Sequence, residues 1–143
     1  MTTVIEENQL SAELQELYLI SKHWVSDLEF FARDLNFLQK LVERGYSQLK
    51  KHEVNENLLE MKLNVLNLQT QNVALRQNVT QYLSQLERLI DNTNDSYELG
   101  LIETHSALER EIGNLFRTFK SVKQRVFKLT SERIKASNSK NQK

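Results

Sequence analysis

The chain has no cysteine, no proline and only three glycines in 143 residues. Without cysteine there is neither a disulfide nor a zinc–thiolate site, and a reducing compartment is permitted. Without proline, and with glycine only at Gly45, Gly100 and Gly113, almost nothing interrupts a helix. No stretch approaches the roughly 20 apolar residues of a membrane span. Met1 to Leu10 carries no basic region leading into an apolar run. No secretory signal is therefore expected, and the expected location is cytoplasmic. In that setting Asn78-Val79-Thr80 and Asn94-Asp95-Ser96 match the glycosylation pattern only by chance. The chain also lacks a glycine-rich phosphate loop and a Gly-x-Ser-x-Gly elbow.

What is present is three apolar stripes in 3-4 alternation. The first is Leu10, Leu14, Leu17, Ser21, Trp24, Leu28, Phe31, Leu35, Leu38 and Val42. The second is Val54, Leu58, Met61, Val65, Leu68, Asn72, Leu75, Val79, Tyr82, Leu86 and Leu89. The third is Leu101, His105, Leu108, Ile112, Leu115, Phe119, Val122, Val126 and Leu129. A spacing near 3.5 residues keeps one seam facing a partner helix.

The spacing predicts helices over about 3–44, 54–90 and 96–135, with 136–143 a disordered basic tail. Thr3 with Glu6, and Asp95 with Glu98, read as capping boxes. Gly45 suits a helix C-terminus. Asp91 to Ser96 is the clearest turn. Short connections make neighbouring helices antiparallel. The expected fold is all-α: an elongated, antiparallel, up-down-up three-helix bundle with coiled-coil-like heptad seams, spanning residues 1–135. A helical hairpin whose third helix docks on another copy is the rival. Phe30, Phe37, Leu41, Tyr18 and Val25 flank the first stripe, and Leu59, Leu66, Val73, Leu83 and Ile90 flank the second. Such wide faces predict that each helix touches two neighbours.

Ser21, Asn72, Tyr82 and His105 interrupt the seams with polar groups. Turns centred near residues 50 and 94 place Tyr82 and Ser21 within roughly one helical turn of His105. The plainest expectation is a buried hydrogen-bonded layer that sets register. A small-ligand, stress-sensing or proton-sensing pocket around His105 is the sharper alternative.

A metal centre is not expected. Bundle di-iron sites need inward glutamates and Glu-x-x-His pairs, whereas these seams hold no Asp or Glu. His23, His52 and His105 form no i, i+3 or i, i+4 pair. No cofactor is expected either, and carboxylate pairs such as Glu13/Glu16 fall on outer faces. A non-enzymatic protein is the reading.

Net charge is zero but unevenly spread. Residues 1–116 hold 10 Lys+Arg and 18 Asp+Glu, while residues 117–143 hold 9 Lys+Arg and one acid, Glu132. Arg117, Lys120, Lys123, Arg125, Lys128, Arg133 and Lys135 form a candidate anion-binding strip for nucleic acid or a membrane surface. In an antiparallel bundle Glu29, Asp34, Glu43, Glu53, Glu56 and Glu60 pass beside this strip and are expected to neutralise much of it. From Leu63 to Leu86 the only charge is Arg76. Asn64, Gln71, Asn78, Gln81 and Gln85 leave an amide-rich face there, a candidate for self-association.

The segment His23-Trp24-x-x-x-Leu28-x-Phe30-x-x-x-Asp34-Leu35-x-Phe37-Leu38 resembles the first helix of small, uncharacterised bacterial helical-bundle proteins. That resemblance covers about 20 core-type positions and implies an all-helical bundle with no activity to transfer. The periodicity is also similar to spectrin-like and syntaxin N-terminal three-helix bundles. The expected function is therefore protein–protein interaction or self-association. An anion-binding module is the first alternative, and a sensing bundle at His105 the second.

Overall fold

A computed structural model describes residues 4–47, 56–91 and 100–141. They form three α-helices, α1 (Val4–Ser47), α2 (Glu56–Asp91) and α3 (Gly100–Asn141), and no strand is present among the described residues. The two capping boxes and the Asp91–Ser96 turn lie wholly or largely outside the described residues.

Two ends differ from the expectation. α1 continues past Gly45 to Ser47. Gly45 is helical rather than a left-handed cap, and no glycine among the described residues has positive φ. Its use is close approach: a Cβ on Gly45 would lie 3.1 Å from Leu58 Cδ2. α3 likewise runs on to Asn141, through most of the segment expected to be a disordered tail. No proline or glycine follows Gly113 to stop it, and lysines near a helix C-terminus are favoured by the helix dipole.

The chain divides into two compact units: Met1–Phe30 with Val73–Gly113, and Phe31–Asn72 with Asn114–Lys143. In the first, the buried residues are Leu14, Ser21, Trp24 and Leu28 from α1, Leu75, Val79, Tyr82, Leu83 and Leu86 from α2, and Leu101, Leu108 and Ile112 from α3. Tyr18 Oη donates to Glu87 Oε1 at 3.2 Å, and Arg76 pairs with Glu29 at 3.8 Å, joining α1 to α2. In the second unit, the buried residues include Phe31, Leu35, Leu38 and Val42 from α1, Leu58, Met61, Val65 and Leu68 from α2, and Leu115, Phe119, Val122 and Val126 from α3. Phe31 sits 5.4 Å from Phe116 and 5.1 Å from Phe119, ring centre to ring centre, in tilted contacts. Gln69 Nε2 donates to Asn36 Oδ1 at 3.2 Å and Gln39 Oε1 at 2.9 Å.

The stripes supply nearly all of this buried surface. Off-stripe residues are another matter. Leu83 is buried, yet Phe37, Val73 and Leu59 remain 52%, 55% and 45% exposed. The broad apolar faces are thus only partly covered within each unit. Hydroxyl side chains on the helices turn back on their own backbone: Thr80 donates to Arg76 O, Thr104 to Gly100 O and Thr130 to Val126 O.

Candidate functional site

The first unit gathers one polar cluster. His105, on the first turns of α3, faces Tyr82 of α2, with Nδ1 3.0 Å from Tyr82 Oη. The Trp24 ring of α1 lies against the same imidazole, with centroids 4.6 Å apart and planes tilted by 34°. The Tyr82 ring is 5.6 Å from it. Tyr82 is fully buried and His105 half-buried. Burial lowers the His105 pKa from its ordinary value of 6.5, and the Glu109 carboxylate one turn on opposes that shift. The Tyr82 hydroxyl and Nδ1 are within hydrogen-bonding distance, and the imidazole tautomer sets which of them donates.

The other two polar stripe residues act differently. Ser21 is fully buried, and its Oγ donates to Leu17 O at 2.8 Å within α1. Asn72 is buried too but belongs to the second unit. Trp24 was legible as a core residue and not as a neighbour of His105. Ser21, expected within roughly one helical turn of His105, lies three residues from Trp24 on the same stripe.

The second unit carries the basic strip. Lys123 Nζ pairs with Asp34 Oδ2 at 3.0 Å and lies 5.6 Å and 5.8 Å from the Phe119 and Phe127 ring centres. Arg125 pairs with Glu60 at 3.3 Å. Arg117 donates to Asn114 on its own helix. Lys120 and Lys128 are exposed and enter no ion pair among the described residues. The side chains of Arg133 and Lys135 lie outside the description, as does Glu53. Of the acids expected to neutralise the strip, Asp34 and Glu60 do so. Glu29 pairs instead with Arg76, and Glu43 accepts from Gln39 Nε2 at 3.1 Å.

Beside the strip, Phe116 and Phe127 are 46% and 42% exposed. Phe37 and Leu41 line an open concavity of about 550 Å³ with Lys40, Glu43, Arg44 and Ser47. The concavity is lined by α1 residues alone, whereas Phe116 and Phe127 stand on α3.

On α2, Gln71 of the second unit and Asn78, Gln81 and Gln85 of the first are exposed, and Asn64 is half-buried. Among the described residues no three His, Asp or Glu side chains gather as a metal would require, and no helix is long and apolar enough to cross a membrane. No family model, curated protein or solved structure matches the chain.

Proposed function

We propose that this protein is a non-enzymatic helical bundle that works by binding another protein or itself. The observation that carries this reading is the exposure of large apolar side chains beside charges: Phe37, Phe116 and Phe127 in the second unit, and Leu19 and Ile102 in the first. Apolar side chains grouped with charged neighbours favour a macromolecular partner over bulk water.

An up-down-up bundle underlies the reading. Tyr18 meets Glu87 and Glu29 meets Arg76 in the first unit. Asn36 meets Gln69 and Gly45 approaches Leu58 in the second. Positions fall along α2 as they rise along α1, which supports antiparallel neighbours. Phe31 with Phe119 and Asp34 with Lys123 rise together, which supports a parallel α1 and α3. The 3-4 spacing of buried residues supports coiled-coil-like seams.

The test is cross-linking mass spectrometry on wild-type chain and on a Phe37→Ser/Phe116→Ser variant, in cells. The proposal expects inter-chain cross-links near these residues in wild type and their loss in the variant. Identical patterns in both would overturn it.

A second reading is favoured by Lys120 and Lys128, exposed and in no ion pair among the described residues, beside exposed Phe127. They suit a polyanion, either nucleic acid or an anionic membrane surface. Its expected signature is binding of a labelled single-stranded oligonucleotide or of anionic vesicles that weakens with salt and is lost in a Lys120→Glu/Lys123→Glu/Lys128→Glu variant. Binding that persists in that variant would sink it.

A further inference from the structure

The two units carry opposite charge. The first contains 4 Lys+Arg and 13 Asp+Glu, a net of −9, and the second contains 15 Lys+Arg and 6 Asp+Glu, a net of +9. Among the described residues, Arg76 pairs with Glu29 in the first unit, and Lys123 with Asp34 and Arg125 with Glu60 in the second.

Each unit also leaves apolar side chains uncovered on α1 and α3, and charges of the unit's majority sign lie two turns along from several of them. In the second unit, Phe37 shares a helix face with Arg44, and Phe127 with Lys120, each pair seven residues apart. Phe37 and Phe127 are 52% and 42% exposed. In the first unit, Ile20 shares a face with Asp27, and Ile102 with Glu109, at the same spacing. Ile20 and Ile102 are 37% and 49% exposed. Lys40, Arg44, Lys120 and Lys128 in one unit, and Glu16, Asp27 and Glu109 in the other, are all exposed and in no ion pair among the described residues.

We propose that copies of this chain associate by laying the acidic, apolar surface of the first unit of one copy on the basic, aromatic surface of the second unit of another. The inference rests on the reading of this protein as a binding bundle and names its partner. A suitable occupant of the basic surface must bring apolar side chains flanked by carboxylates. This chain displays that combination on its own α1 and α3. A net charge of zero means that copies do not repel one another over long range, while the opposed units attract and orient them. Apolar contact then holds what the charges align.

The experiment is sedimentation velocity on the full chain over a range of concentrations, at ~20 mM and ~500 mM salt, where screening is weak and strong respectively. The expected result is a species heavier than the 16.8 kDa chain at low salt that dissociates at high salt. Two charge-reversed variants extend the test. Lys40→Glu/Lys120→Glu/Lys128→Glu cuts the second unit's net charge from +9 to +3, and Glu16→Lys/Asp27→Lys/Glu109→Lys cuts the first unit's from −9 to −3, each reversing exposed charges on α1 and α3. Each alone is expected to lose association by about tenfold or more while keeping its helicity, because the net attraction between the two surfaces falls and the reversed side chains meet charges of their own sign. An equimolar mixture is expected to regain assembly, and adding Phe37→Ser/Phe127→Ser to the first variant to weaken it again. A monomer at low salt at every concentration, or assembly that survives in either variant alone, would overturn the inference. A monomeric chain that still forms Phe37-dependent cross-links to a different protein would retain the binding function and lose self-association. Salt-reversible co-sedimentation with an oligonucleotide by a monomeric chain would transfer the basic surface to a polyanion and also overturn it.

Discussion

The two units draw on the same three helices and the same apolar spacing, yet they differ in core and in surface. In the first, an imidazole meets both a phenol and an indole, and the outer charges are mostly carboxylates. In the second, Phe31, Phe116 and Phe119 occupy the α1–α3 contact, and the outer charges are mostly lysine and arginine. A repeating stripe therefore constrains the interior far more than it constrains what the rest of each helix does. A single position per turn of the stripe suffices to place a titratable group in one core and a phenyl ring in the other.

The largest effects test whether the two cores are equally well packed. Leu28 in the first unit is 0% exposed and Leu35 in the second 1%. Leu28→Ala and Leu35→Ala are each expected to cost roughly 2–5 kcal/mol, measured by urea unfolding followed by circular dichroism. A loss below about 1 kcal/mol at one site only would mark that unit's core as loosely packed and break the equivalence.

Next comes the cluster that the second unit lacks. Tyr82→Phe removes the hydroxyl facing His105 Nδ1 and is expected to cost about 1 kcal/mol. A change within error would mean that the imidazole finds its partner elsewhere.

The same cluster makes stability depend on pH. The folded-state pKa of His105 is lowered, so the unfolded chain binds the proton more tightly than the folded one. Stability from this group is fully present above the unfolded value near 6.5 and is lost as pH falls through the lower folded value. Melting temperatures from pH 8 to pH 5 are expected to fall on the acid side, and a His105→Gln variant to flatten part of that fall. A wild-type profile unchanged by His105→Gln would remove His105 as its cause.

The smallest effects concern the cross-helix ion pairs of the second unit. Lys123→Gln breaks the 3.0 Å contact with Asp34, whose side chain is 25% exposed. The expected loss is about 0.2–1 kcal/mol, less in high salt. Arg125→Gln, at the more exposed 3.3 Å pair with Glu60, is expected to cost less still. A larger loss at Arg125 would reverse that order and show that exposure does not govern these pairs.

Much of the helical layout was legible because it depends on what lies near in sequence. The absence of proline and the 3-4 stripes foretold helices without strands. Gly45 misled because its sequence context matches a cap, whereas its use is the approach of Leu58, a residue 13 positions later. The disordered tail was inferred from composition, while the helix runs to Asn141 with nothing to stop it. The neighbours of His105 were half legible. Counting from the turns reached Tyr82 and the turn of α1 that holds Ser21, but did not single out Trp24, three residues on, as the ring against the imidazole.

By itself the sequence determined the helices, the side of each that is buried and the total charge, because these follow from backbone propensity, a period near 3.6 and composition. Only the tertiary structure decided which carboxylate meets which cation, which aromatic ring lies on His105, and which flanking apolar residues stay uncovered. The period fixes an angle around a helix axis. It leaves open the height at which a neighbouring helix passes, and contacts between residues far apart in the chain depend on that height.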